Sequence, residues 1–160
     1  MSEIEKDELT EEEFLAHYDE FCDEQRSKNE KLLEEFEERL LADGLKQNTV
    51  NNHISNVDFY INTYLLYYNI IEPSDGMPLV GGFLGDFFIR KALWSTPQSI
   101  KSTAASLKKF YKFMVDSGRA DKTVYEEMCR QFKKEMSDWQ ETCRRFNAPD
   151  SLGVEDIWGI

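Results

Sequence analysis

Three features of this 160-residue chain predict an all-α fold. Apolar residues recur at three- and four-residue steps through several long segments. Alternation at period two, with the Val, Ile and Thr that strands favour, is scarce. Capping residues and glycines punctuate the periodic runs at helix length. With 41% hydrophobic and 13% aromatic residues the chain supports a folded core. Its length suits one domain with an appendage rather than two full domains. The expected architecture is a compact bundle of four core helices in two hairpins, with an acidic N-terminal helix and a long C-terminal helix added.

The first helix is predicted from Thr10, at capping-box spacing from Glu13, with Leu9 and Phe14 as the accompanying hydrophobic staple. Leu9, Phe14, Tyr18 and Phe21 form its apolar side. The pattern loosens around 25–29, and a second helix is predicted from Ser27, which has Glu30 three residues on. Leu32, Leu33, Phe36, Leu40 and Leu41 define its buried face, and Gly44 ends it. Asn48 or Thr49 then caps a third helix with Val50, Ile54, Val57, Ile61, Tyr64, Leu65 and Tyr68 on one side.

Residues 69–82 read as a loop, since they contain Pro73, Gly76, Pro78 and a glycine pair. A short apolar helix carrying Phe83, Leu84, Phe87, Phe88, Leu93 and Trp94 comes next. Gly81, Gly82 and Gly85 mark its tight packing rather than a phosphate loop, because no strand precedes them and no Gly-Lys-Ser/Thr follows.

Thr96, Pro97 and Gly118 bound the most sharply marked helix. Ile100, Thr103, Ala104, Leu107, Phe110, Tyr111 and Met114 fall on its core face. Lys101, Lys108 and Lys112 form a second stripe, within about 40° of one another at 100° per residue. A last helix runs over about 121–146, with Val124, Met128, Phe132, Met136, Trp139, Cys143 and Phe146 inward. The tail from Ala148 is irregular and ends in an apolar Ile157-Trp158-Gly159-Ile160.

The net charge of −12 argues against nucleic acid until its distribution is considered. Residues 1–45 carry 5 Lys/Arg against 17 Asp/Glu, residues 46–118 carry 7 against 5, and residues 119–160 carry 7 against 9. This asymmetry divides the chain into an acidic extension (1–26), a helical domain (27–118) and a C-terminal helix with its tail (119–160). The acidic extension is expected to lie against the basic stripe and compete with its ligand.

Cys22, Cys129 and Cys143 match no metal-binding or CxxC spacing and read as reduced thiols. No basic leader and no long apolar run is present, so a soluble, cytoplasmic protein is expected. His53 has no second His, Cys or carboxylate at metal spacing and reads as a partly buried or a capping-region residue rather than a ligand. The acidic residues at the front are neither oriented nor desolvated, so no catalytic, metal or cofactor role is assigned.

The run LLEEFEERLLADGLKQNTVNNHISNVDFYINTYL, followed by FLGDFFIRKALWSTPQSIKSTAASLKKFYKFMVDSG, resembles the core-binding domain of tyrosine recombinases and phage integrases, a SAM-like helical module. The resemblance covers residues 32–118. It implies that the second and fourth helices of the module clamp double-stranded DNA. It would place Thr49, Asn52 and His53 on one and Ser99, Lys101, Ser102, Lys108 and Lys112 on the other as phosphate contacts. Hydroxyls and helix starts suit phosphate oxygens, and lysines displace condensed counterions.

The same resemblance sets a limit. Neither His17 nor His53 stands in a His-x-x-Arg, and no tyrosine follows Tyr125, so strand cleavage is not expected of this chain. The expected function is non-catalytic DNA binding, linked to recombination or integration. The alternative is a helical protein-interaction module with no nucleic-acid ligand, in which the lysine stripe is an ordinary solvated face and a partner meets the C-terminal helix or the Trp158 tail.

Overall fold

The computed structural model describes residues 10–148. Among them every regular element is helical and no strand occurs, as the periodicity predicts. Helix α1 is Glu11–Ala16, and Thr10 Oγ1 accepts from Glu13 N at 3.1 Å. The predicted staple includes Leu9, which lies outside the described residues.

The chain bends at His17 and continues as one helix, α2, over Tyr18–Ala42. The predicted interruption at 25–29 is absent. Ser27 does not cap a new helix; its hydroxyl donates back to Asp23 O at 3.2 Å, inside the turn. Gln25 and Asn29, which break the apolar pattern, are buried because their amides are satisfied. Gln25 Nε2 donates to Asn29 Oδ1 at 2.9 Å, and Asn29 Nδ2 donates to Asn62 Oδ1 at 2.8 Å. Phe36, Leu33 and Leu40 enter the core, whereas Leu41 is exposed, and Gly44 ends α2's trailing turn at φ +91°.

Helix α3 is Gln47–Asp58 and runs directly into a π-helical turn, Phe59–Tyr64. It starts earlier than predicted, and no side chain caps it: Asn48 and Thr49 lie inside its first turn. The π turn closes with Leu65 N bonded to Tyr60 O at 3.0 Å. One residue more per turn rotates everything beyond it. Tyr60, Ile61, Leu65 and Leu66 are buried, whereas Tyr68, predicted inward, lies past the end of the helix and is 72% exposed.

Two 3-10 turns, Pro73–Asp75 and Met77–Leu79, occupy the expected loop, and buried tyrosines fasten it. Tyr60 Oη donates to Gly76 O at 2.7 Å, and Tyr111 Oη donates to Pro73 O at 2.8 Å. The composite helix α4 then begins within the predicted loop. It is α-helical at Val80–Gly82, π-helical at Phe83–Phe87 and α-helical at Phe88–Lys91. Phe83, Leu84, Phe87 and Phe88 are buried as predicted; Leu93 and Trp94 lie past its end and are exposed.

Helix α5, Pro97–Asp116, has the predicted boundaries and buries all seven predicted core residues. Thr96 and Ser99 close a reciprocal capping box, and Gly118 adopts φ +75°. Helix α6, Lys122–Asn147, is capped by Asp121, whose carboxylate accepts from Thr123 N and Val124 N. Met128, Phe132, Trp139 and Cys143 are buried against α4 and α5, whereas Phe146 is 55% exposed. A Cβ on Gly85 would stand 2.7 Å from Trp139 Cδ1, so the absence of a side chain there admits the indole. The apolar tail and Trp158 lie outside the described residues.

Candidate nucleic-acid interface

The packing of α3 on α5 builds a polar groove of about 380 Å³ from Thr49, Asn52, His53, Ser55, Asn56, Ser102, Ala105 and Ser106. At its floor sits Ser106, whose hydroxyl has three partners. It donates to Ser102 O at 3.1 Å, accepts from Asn56 Nδ2 at 2.9 Å, and lies 2.7 Å from His53 Nδ1. One hydroxyl supplies a single proton, and the backbone carbonyl takes it. With the hydroxyl proton on Ser102 O, the tautomer that completes the set carries hydrogen on His53 Nδ1 and leaves Nε2 as the ring's other polar atom.

Burial, with the nearby Lys109 ammonium, holds His53 below the ordinary histidine value. The ring is neutral at pH 7. An arriving anion would offset both effects and favour its protonation.

The lysine stripe borders this groove. Ala105, on the groove wall, lies four residues after Lys101, three before Lys108 and seven before Lys112, so all four share one face of α5. Lys101, Lys108 and Lys112 are exposed. Lys112 Nζ is 3.1 Å from Asp116 Oδ1, and Arg39 Nη2 is 2.9 Å from Asp116 Oδ2. These bonds, that to Arg39 foremost, hold the Asp116 carboxyl below its usual value. The hydroxyl of Ser99 is committed to the capping box, bonding Thr96 N at 2.7 Å.

Of the eight residues singled out from the sequence, Thr49, Asn52, His53 and Ser102 thus meet in one groove. Lys101 and Lys108 flank it, Lys112 flanks it while paired, and Ser99 secures the start of α5. Sequence reasoning does not single out Asn56, Ser106 or Lys109. Ser102, Ser106 and Lys109 fall at i, i+4 and i+7, a readable spacing, but only α3 packed alongside makes them a groove wall.

The stretch of chain that contains α5 is basic. Between Asp86 and Asp116 the chain carries Arg90, Lys91, Lys101, Lys108, Lys109 and Lys112 and no acidic residue. The acidic residues concentrate on α1 and α2. The described part of the acidic extension does not cover the stripe. Tyr18 Oη donates to Leu66 O, and Arg26 bonds Asn62 O at 3.4 Å, so residues 10–26 dock past the far end of α3. The expectation that residues 1–26 lie on the stripe fails for this portion, because its aromatic side finds Leu66 instead.

Among the described residues no cluster of His, Cys, Asp and Glu suits a metal ion, and no helix is long and apolar enough to cross a membrane. The three cysteines are unpaired with one another. The fold and groove together define an all-α protein with a polar cleft between two helices, bordered by exposed lysines. Comparison with known protein families, curated proteins and solved structures found nothing that matches this chain.

Proposed function

We propose that this protein binds double-stranded DNA without cleaving it, chiefly through phosphate contacts made by α5 and the start of α3. The observation that carries the reading is the convergence of Thr49, Asn52, His53 and Ser102 in one groove flanked by Lys101 and Lys108. Short polar side chains position phosphate oxygens, and the lysines supply affinity by releasing counterions. A role as an accessory to a cytoplasmic DNA-integrating or recombining enzyme is the finer part of the proposal and rests on the resemblance of residues 32–118 alone.

The test is fluorescence anisotropy with a labelled duplex across a salt series. Binding should weaken steeply as salt rises. Charge reversal at Lys101, Lys108 and Lys112 should abolish it, and reversal at Lys101 and Lys108 alone, which spares the Lys112–Asp116 pair, should weaken it strongly at an unchanged melting temperature. Absence of binding at low salt, or binding indifferent to salt, would remove DNA as the ligand.

A second reading, a helical protein-interaction module, is favoured by a separate observation. Leu93 is fully exposed, and Trp94 and Phe146 are each 55% exposed. Under that reading the charge reversal leaves function intact.

A further inference from the structure

Helix α6 carries a second row of cations alongside the first. Gln140 Nε2 donates to Pro97 O at 3.0 Å, which marks the flank of α6 that borders α5. Lys122, Lys133 and Arg144 lie 18 residues before, 7 before and 4 after Gln140. At 100° per residue all three fall within about 40° of it. They are exposed, and successive members stand about 16 Å apart along the helix.

Arg144 is 3.2 Å from Glu141, while Lys122 and Lys133 have no ion pair among the described residues. The one carboxylate within the row is Glu126. On α5, which packs against both α3 and α6, the lysine stripe has Ser102 and Ser106 of the α3 groove on one side and Pro97, met by Gln140 of α6, about 40° round on the other. Packed helix axes are about 8–10 Å apart. A rod-shaped polyanion lying on Lys101 and Lys108 therefore also comes within reach of Lys122 and Lys133.

We infer that α6 is a second phosphate-binding rail, which widens the DNA contact from the α3–α5 groove across the α5–α6 pair through Lys122, Lys133 and Arg144. The inference rests on the DNA reading above and adds to it a helix outside residues 32–118, the stretch that carries the resemblance. It also assigns Glu126 a part: its charge opposes the ligand and limits affinity.

The experiment compares the full chain with Lys122→Gln/Lys133→Gln and with Glu126→Gln, by anisotropy on one random-sequence duplex over a salt series. Each lysine–phosphate pair removed should lower the slope of log affinity against log salt by about 0.9. The double variant should therefore show a slope shallower by about 2 and bind more weakly at low salt. Glu126→Gln should bind more tightly, which guards against a loss caused merely by misfolding.

If the wild-type chain and the α6 variants bind alike, while charge reversal on α5 abolishes binding, the second rail is refuted and the DNA reading stands. If the wild-type chain does not bind, both fall.

Discussion

Replacing Gly85 by alanine tests how α6, and with it the second row of cations, is held in place. Two effects oppose each other. Alanine favours a helix over glycine by about 1 kcal/mol. The new Cβ, however, would stand 2.7 Å from Trp139 Cδ1 and 2.8 Å from Nε1, where carbon contacts prefer about 3.5–4.0 Å. The indole cannot simply swing aside: it is 7% exposed and packs edge-on to Phe132 at 6.0 Å. Relief requires α4 and α6 to separate by about 1 Å, and overpacking of this kind costs about 1–3 kcal/mol.

Taking the upper part of that range, the net loss is about 2 kcal/mol, or about 4–8 °C in Tm for a chain of this size. Urea denaturation followed by far-UV circular dichroism measures it. Gly81→Ala is the internal control. Its Cβ would meet only the amide end of Gln131, with Nε2 nearest and Cδ at 3.1 Å, a flexible side chain that can turn away, so the propensity gain survives and the variant should be slightly more stable than wild type. Combining Gly85→Ala with Trp139→Leu should cost less than the two changes summed. The reasoning is refuted if Gly85→Ala matches or exceeds wild-type stability.

Other expectations concern titration and the buried tyrosines. His53 should titrate below an ordinary histidine by NMR, and Lys109→Gln should move it upward, because the Lys109 ammonium contributes to the depression. With the folded value below the unfolded one, this group's contribution to stability falls as pH drops from about 6.5 through the folded pKa. Bound duplex should raise the His53 pKa, so DNA affinity should rise as pH falls over the same window; an unmoved pKa in the complex would place the phosphates elsewhere.

Tyr111→Phe leaves the Pro73 carbonyl without its donor and should cost about 1–2 kcal/mol by chemical denaturation. Burial raises the Tyr60 and Tyr111 pKa values, so their contribution is intact below about 10 and declines as the unfolded chain ionises above that pH. The phenylalanine variant should show a shallower alkaline loss.

Residues with strong local chemistry were legible in the chain alone. Thr96, Pro97 and Gly118 bound α5 through neighbouring backbone groups, and its core stripe follows from helical repetition. Segments whose conformation depends on distant partners were not. Gln25 and Asn29 look like a break, yet the helix passes through them because Asn62 and the backbone beyond α3 satisfy Asn29. Tyr68 fits an α-helical face, but the helix ends with the π turn at Tyr64 and Tyr68 stands exposed beyond it. The candidate site divides in the same way. Lys101, Lys108 and Lys112 are visible as a stripe, whereas Ser106 and Lys109 gain meaning only beside His53.

By itself, the sequence determined the all-α class, the long amphipathic helices, the separation of acid from base along the chain and the capped limits of α5. These depend on periodicity, capping and composition, which act within a few residues. Tertiary structure alone decided which polar residues form a groove, which flank of α6 borders α5, and where the described part of the acidic front, from residue 10 on, docks. Those outcomes depend on which helix packs on which, and that is settled by burial of the shared core rather than by any one helix's own pattern.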